Sequence, residues 1–208
     1  MRRLRAGGGR TQDHAHRESE DTMPHVELTE ELPGIAGLLD HYADTGRVLS
    51  ELAQVLLRGS DGLTPAEREL IATYVSSLNR CVFCTSSHAA AARHLLPDGG
   101  TVEAVLRDYG RAPVTPKLKA LLAIAARVQQ GGRSVSDDDV RTAHAEGATD
   151  REIHDTVLIA AAFCMYNRYV DGLATWAPDD PAVYDEIGRR LAGVGYIRVM
   201  EREPAAAA

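Results

Sequence analysis

Apolar residues recur along this chain at helical spacing. Val48, Leu49, Leu52, Val55 and Leu56 share one face, and Gly59 ends that segment. Thr64-Pro65-Ala66-Glu67 then reads as a helix start. Thr can cap the helix, Pro suits its first position, and Glu completes a capping box. Leu70, Ile71, Tyr74, Val75 and Leu78 form the apolar face that follows. Asn79-Arg80 marks the stop, because asparagine tolerates the left-handed conformation of a helix end. A second helix is expected from about Cys81 to His94, then a loop at Pro97-Asp98-Gly99-Gly100.

The remaining chain repeats this grammar. Thr101 is expected to cap a short helix to about Tyr109, with Pro113 and Pro116 marking the next turn. Leu118, Leu121, Leu122, Ala125 and Val128 form a stripe closed by Gly131-Gly132. Ser136 before Asp137-Asp138-Asp139 is a strong start, since carboxylates suit the positive end of a helix dipole. Thr149-Asp150-Arg151-Glu152 is another capping box, opening an apolar helix to about Tyr169. Val183, Ile187 and Leu191 suggest a last helix, with Trp176 and Pro178 anchoring the loop before it. No segment sustains period-two alternation with β-branched enrichment, so the expected class is all-α, a helical bundle. The boxes at Thr64 and Thr149 hint at a duplication in which His154 takes the place of Glu69, and Tyr166 and Tyr169 those of the two cysteines.

Composition narrows the possibilities. The 208 residues are 44% hydrophobic, enough for one domain with a real core or at most two small ones. That domain is expected over residues 26–197. Residues 1–25, with Gly7-Gly8-Gly9 and little to bury, read as a disordered tail, within which Met23 could be an alternative start. Residues 198–208 read as frayed, the fraying beginning after Gly195. The net charge is −7, and the only basic cluster is Arg2, Arg3, Arg5 and Arg10, so no nucleic-acid partner is expected. The apolar run Val157–Tyr166 is about half the roughly 20 residues a bilayer span needs, so no membrane partner is expected either. The basic N-terminus lacks an apolar h-region, which makes the cytoplasm the default location.

The candidate chemistry lies in the first pair of helices. The three cysteines are Cys81, Cys84 and Cys164. A close pair in a reducing compartment points to catalysis or metal binding rather than a structural bridge. Cys81-Val82-Phe83-Cys84 lets two sulfurs meet when the first opens a helix, where unpaired N–H groups and the dipole favour thiolate. His88 lies one turn beyond Cys84 on the same face and can take its proton. Glu69 is about 18 Å away along a straight helix. If the chain reverses at Asn79-Arg80, Glu69 instead meets His88 and can orient the imidazole.

Zinc is the rival reading, because Cys81, Cys84 and His88 are acceptable ligands. A structural site needs a fourth, and His94 is the only local candidate. Taken singly, Glu69 reads as a solvated first-turn carboxylate in a polar turn with Glu67 and Arg68, and His88 as a structural histidine. Cys164 reads as a small buried hydrophobe. Asn167, Arg168 and Asp171 read as a hydrogen-bonded structural network, with a subunit contact or a wall of the substrate pocket as the sharper alternative.

Together, Glu69, the eleven-residue gap, the Cys81–Cys84 pair and His88 resemble the signature of the alkyl hydroperoxidase D-like family, within the carboxymuconolactone decarboxylase-like superfamily. The segment Leu70–His94 resembles its core helix pair. The stretch from Thr115 through Asn167-Arg168-Tyr169-Val170-Asp171-Gly172-Leu173 is similar to its peroxidase-related subgroup, and the likeness covers about residues 30–195. The resemblance implies an all-helical fold, assembly as trimers or hexamers, and reduction of organic hydroperoxides without a cofactor. It implies a sulfenic acid on Cys84, a Cys81–Cys84 disulfide resolved by Cys81, and a relay of Glu69 and His88. A thiol or dithiol protein would be the reductant. Well-known members carry a second histidine between the cysteines, where this chain has Val82-Phe83, which shortens the relay. The decarboxylase branch lacks the cysteine pair, so decarboxylation is not implied. The alternative from another class is a metal-binding or assembly protein using the same Cys/His cluster.

Overall fold

A computed structural model describes residues 23–28, 32–98 and 100–197. The expected tails therefore lie outside the described residues up to residue 22 and from residue 198. The described residues form helices joined by short turns, with no strand among them. In order these are α1 (Ile35–His41), α2 (Ala43–Arg58), α3 (Pro65–Asn79), α4 (Val82–Leu95), α5 (Gly100–Asp108), α6 (Pro116–Gln130), α7 (Asp137–Ala145), α8 (Asp150–Gly172) and α9 (Pro181–Val194). A single 3₁₀ turn, Gly132–Ser134, follows α6. The all-α expectation holds.

The starts form where local chemistry demanded them. Thr64, Ser136 and Thr149 each complete a full capping box. Thr115 caps α6, with Pro116 at its first turn. Thr101 is not a cap, however. It lies inside α5, and the Asp98 side chain instead accepts from Gly100 N–H at 2.9 Å. Carboxylate oxygens are good acceptors for such orphan N–H groups, and the helix starts two residues earlier than a Thr101 cap would give. Helix α8 runs past Tyr169 to Gly172.

Helix α3 is the centre of the bundle. It packs against α4, α6 and α8, and α6 also packs on α8. Leu70, Ile71, Leu121, Leu122, Ile124, Ile159 and Phe163 are all buried at that junction. Each such side chain contributes about 1.5–3 kcal/mol over leaving it exposed. The turn that looked polar at Arg68 is also buried. Its guanidinium donates to the carbonyls of Leu56, Asp61 and Leu63 and pairs with Asp155 of α8 at 2.7 Å. Removing either partner of such a pair costs about 3–5 kcal/mol, because a charge is left buried alone.

Two tight features position the site. Arg80, rather than Asn79, takes the left-handed conformation, with φ 63°. Its N–H donates to Ser77 O and that of Cys81 to Ser76 O, closing α3 and turning the chain straight into α4. On the other side, α9 packs closely on α4. A Cβ at Gly188 would lie 2.5 Å from the Ala90 backbone, so only glycine allows that approach. Helix α9 then delivers Gly195 and Tyr196 back toward α2.

Candidate active site

The reversal at Arg80 brings Glu69 and His88 together, as the spacing required. His88 Nδ1 lies 2.8 Å from Glu69 Oε2. Glu69 is not a solvated carboxylate. It is completely buried, and two further groups reach it. Arg58 Nη1, at the end of α2, lies 2.8 Å from Oε1. Tyr196 donates its hydroxyl to the same oxygen at 2.5 Å. Burial alone would push the Glu69 carboxyl up. The His88 imidazole, the Arg58 guanidinium and the Tyr196 hydroxyl outweigh it and hold the carboxyl below its ordinary value of 4.5.

Aromatic rings hold the imidazole from two sides. Phe163 meets His88 edge-on at 4.6 Å, and Tyr196 stacks on it at 5.9 Å and 12°. With Nδ1–H directed at Glu69, Nε2 keeps its lone pair and can act as a base.

Cys84 and His88 line one cavity of about 290 Å³. Its walls are mostly apolar and include Leu49, Ala53, Phe83, Phe163, Ile187 and Leu191, with Tyr196 beside His88. Ser87 also faces it. That hydroxyl is buried and has no hydrogen-bond partner among the described residues.

Cys81 is the N-cap of α4, and Cys84 lies in its first turn. Both are free thiols and both are buried. The helix terminus does not make Cys81 a thiolate. A hydrogen bond with Cys84 and burial push its thiol far up, and Asp171 adds to this, against a smaller opposing effect of the Cys84 backbone N–H. Cys81 therefore keeps its proton and can share it with Cys84 sulfur.

Other expectations are resolved here. Asn167 is the buried structural residue anticipated: it donates to Ser76 Oγ and accepts from Asn79. Asp171, set aside with it, lies beside the Cys81 thiol. Cys164 is only half-buried and receives a weak contact from Asn79 Nδ2 at 3.7 Å, because its face of α8 turns partly outward. His94 pairs with Asp185 of α9 at 2.9 Å rather than turning to the cysteines. Among the described residues, no group of three or more His, Cys, Asp or Glu is arranged to hold a metal ion. His154, the duplication counterpart of Glu69, is exposed and bonded to Asp155. No helix among the described residues is long and apolar enough to cross a membrane.

This geometry agrees with what the chain resembles. Residues 43–108, which hold α2 to α5, match the model of the carboxymuconolactone decarboxylase family. An uncharacterized peroxidase-related protein from Ralstonia eutropha JMP134, described as having an alkylhydroperoxidase AhpD core, superposes with a TM-score of 0.68 at 26% identity. That match covers 76% of this chain and 82% of the other. An uncharacterized peroxidase-related protein from Silicibacter sp. TM1040 has a TM-score of 0.65 at 28% identity, covering 72% and 78%. The family match and these two structures support a likeness to the alkylhydroperoxidase D-like, carboxymuconolactone decarboxylase-like superfamily. A protein from Agrobacterium tumefaciens shares the fold at 23% identity, with a TM-score of 0.59, covering 66% and 93%. No curated protein matches.

Two residues of the candidate site, Arg58 and Tyr196, escaped the sequence reading. Arg58 closed an amphipathic helix and resembled any basic residue at a helix end. Tyr196 lay in a segment expected to fray. A tyrosine directly after a helix-stopping glycine was the only available signal.

Proposed function

We propose that the protein is a thiol-dependent peroxidase that reduces organic hydroperoxides through Cys84. The observation that carries this reading is the shared cavity: Cys84 and His88 face one apolar chamber, with Glu69 clamped behind the imidazole. His88 takes the Cys84 proton, and the thiolate attacks the outer peroxide oxygen. A sulfur–oxygen bond forms, the oxygen–oxygen bond breaks, and the alkoxide leaves with the proton held by His88. Ser87 Oγ offers a hydrogen bond to the peroxide within an otherwise apolar chamber.

Cys84 is then a sulfenic acid. Cys81 attacks its sulfur, forming the Cys81–Cys84 disulfide, and its thiol proton leaves with the hydroxyl as water. A protein dithiol returns the two electrons by exchange. Cys81 is fully buried, with Asp171 beside its thiol, whereas Cys84 lines the cavity, and this placement supports the division of labour.

The chamber suits alkyl groups better than water-like peroxide. Its volume is on the scale of small-ligand sites, and its polar groups are few. A homo-oligomer, a trimer or hexamer, belongs to the same proposal. The Ala160-Ala161-Ala162 run gives it limited support, because Ala160 and Ala162 are already buried within the chain. Leu158 and Met165, exposed seven residues apart on α8, are the better candidates for a subunit contact. The deciding assay measures consumption of cumene hydroperoxide with dithiothreitol, for the wild type and Cys84→Ser. Turnover that disappears in the variant supports the reading. Equal background rates would leave the cysteine cluster to binding or assembly.

A further inference from the structure

We propose that Tyr196, carried by the segment after α9, is a positioning residue that fixes Glu69 so that only Oε2 faces His88. This rests on the reading of His88 as the base. The geometry divides the carboxylate between its neighbours. Oε1 receives the Tyr196 hydroxyl at 2.5 Å and Arg58 Nη1 at 2.8 Å. Oε2 is left to His88 Nδ1 at 2.8 Å. With both donors on one oxygen, the carboxylate has one orientation, and the imidazole is held with its proton on Nδ1 and its lone pair on Nε2.

The surroundings hold Tyr196 itself in place. Its backbone N–H donates to Gln54 Oε1 at 2.7 Å. Gly195 turns the chain with φ 88°, and a Cβ there would lie 2.4 Å from that same Gln54 oxygen. The Arg58 guanidinium sits 5.1 Å over the Tyr196 ring while its Nη2 donates to Leu191 O in α9. Helix α2 thus grips the segment after α9 by both side chain and backbone. Tyr196 also walls the cavity beside His88, so it screens the buried carboxylate from water.

The groups that face Glu69 are Arg58 from α2, His88 from α4 and Tyr196 after α9. The tyrosine is an acid that does not ionise in the working range: burial and the Glu69 charge raise it well above 10. It therefore always donates. Losing that donor removes one of the forces that keep Glu69 ionised. The carboxylate should then take up a proton at higher pH, and His88 would lose its orienting acceptor there.

Tyr196→Phe tests this: the ring stack on His88 and the cavity wall are retained, and the hydroxyl is lost from Glu69 Oε1 and from its 3.2 Å contact with His88 Nδ1. A hydrogen bond to a charged group is large enough to move a titration by roughly one to two pH units. The infrared carbonyl band of protonated Glu69, identified by its absence from Glu69→Gln, should appear at a pH higher by about that amount. The acid limb of peroxide turnover should move up with it, and the rate at the pH maximum should also fall, because Glu69 loses one of the two donors that fix its orientation. A merely structural tyrosine would lower the rate at every pH and leave both midpoints in place. Superimposable profiles for Tyr196→Phe and wild type, with Glu69→Gln still impaired, would overturn the role of Tyr196. If Glu69→Gln itself left turnover unchanged, the base reading would fail instead, and the infrared band would still decide whether Tyr196 holds the carboxylate.

Discussion

Replacing Glu69 with glutamine tests the centre of the site with almost no change in volume. The wild-type carboxylate is fully buried and balances Arg58, whose side chain is 11% exposed. Glutamine removes the negative charge and leaves the guanidinium in place. Breaking a buried pair from one side costs about 3–5 kcal/mol. For a chain of this length that corresponds to a fall in Tm of about 6–20 °C, which differential scanning calorimetry resolves. The catalytic loss should be larger than a stability effect alone would give. Without the carboxylate, His88 loses both its tautomer constraint and the charge that favours an imidazolium. Loss of general-base function typically costs about 10²–10⁴-fold. Cys84 alkylation, followed against pH, should show a higher midpoint than wild type.

The same variant carries a pH signature. The folded-state carboxyl is depressed below its ordinary value of 4.5, so its contribution to stability is present above that pH and is lost as pH falls through the folded value. Glu69→Gln should lack this loss, and its acid-unfolding curve should be flatter below pH 4.5. The exposed Glu51→Gln, in an i,i+4 pair with Arg47, is the control and should change little. An unchanged alkylation midpoint together with unchanged turnover would refute the reasoning. Glu69 would then be a structural carboxylate for Arg58, and the relay would reduce to His88 and the helix terminus.

The remaining expectations concern the sulfurs and the assembly. Cys84→Ser should abolish turnover, and Cys81→Ser should permit one attack and trap a sulfenic acid that a dimedone-type probe labels on Cys84; labelling of Cys164 instead would reverse the assignment. Peptide mapping of air-oxidised protein should find Cys81 joined to Cys84 and Cys164 free, and a bridge through Cys164 would contradict the site. Light scattering should give a multiple of 22.5 kDa at micromolar concentration, falling for Leu158→Glu/Met165→Glu; a stable wild-type monomer counts against assembly.

What could be read from the sequence was local, or built from local pieces. The capping boxes at Thr64 and Thr149, and the helix start at Ser136, formed because Thr or Ser and a carboxylate three residues on satisfy each other's backbone without outside help. The Glu69–His88 contact was legible for a related reason. One turn, at Arg80, fixes the register of two adjoining helices, and fixed helical rise does the rest. What depended on distant partners was not legible. Arg68 read as part of a polar turn because its partner, Asp155, is 87 residues away. Tyr196 read as tail because its acceptor lies 127 residues earlier. Nothing in either local pattern reveals such a partner. Asp171 was ambiguous because it is exposed near the end of α8, where a solvated carboxylate and one that reaches a buried thiol leave the same local pattern.

The Val82-Phe83 pair acquires a physical meaning in this arrangement. Val82 is exposed, whereas Phe83 is buried, lines the cavity and packs against Tyr184 at 6.1 Å. An imidazole at either place would change the site in a different way. At 82 it would stand in solvent, and at 83 it would bring a polar ring into the apolar chamber beside Cys84. Neither residue is a proton carrier, so in the proposed mechanism the Cys84 proton passes along α4 to His88. That places the whole demand on the group behind His88. A single buried carboxylate beside one imidazole would meet a strong drive to protonate, because burial penalises its charge. Arg58 supplies the counter-charge, and the Tyr196 hydroxyl supplies a further bond without adding charge. The proposed relay is therefore tertiary, drawn from α2, α3, α4 and the chain beyond α9. A relay that resided in the cysteine motif would be confined to α4.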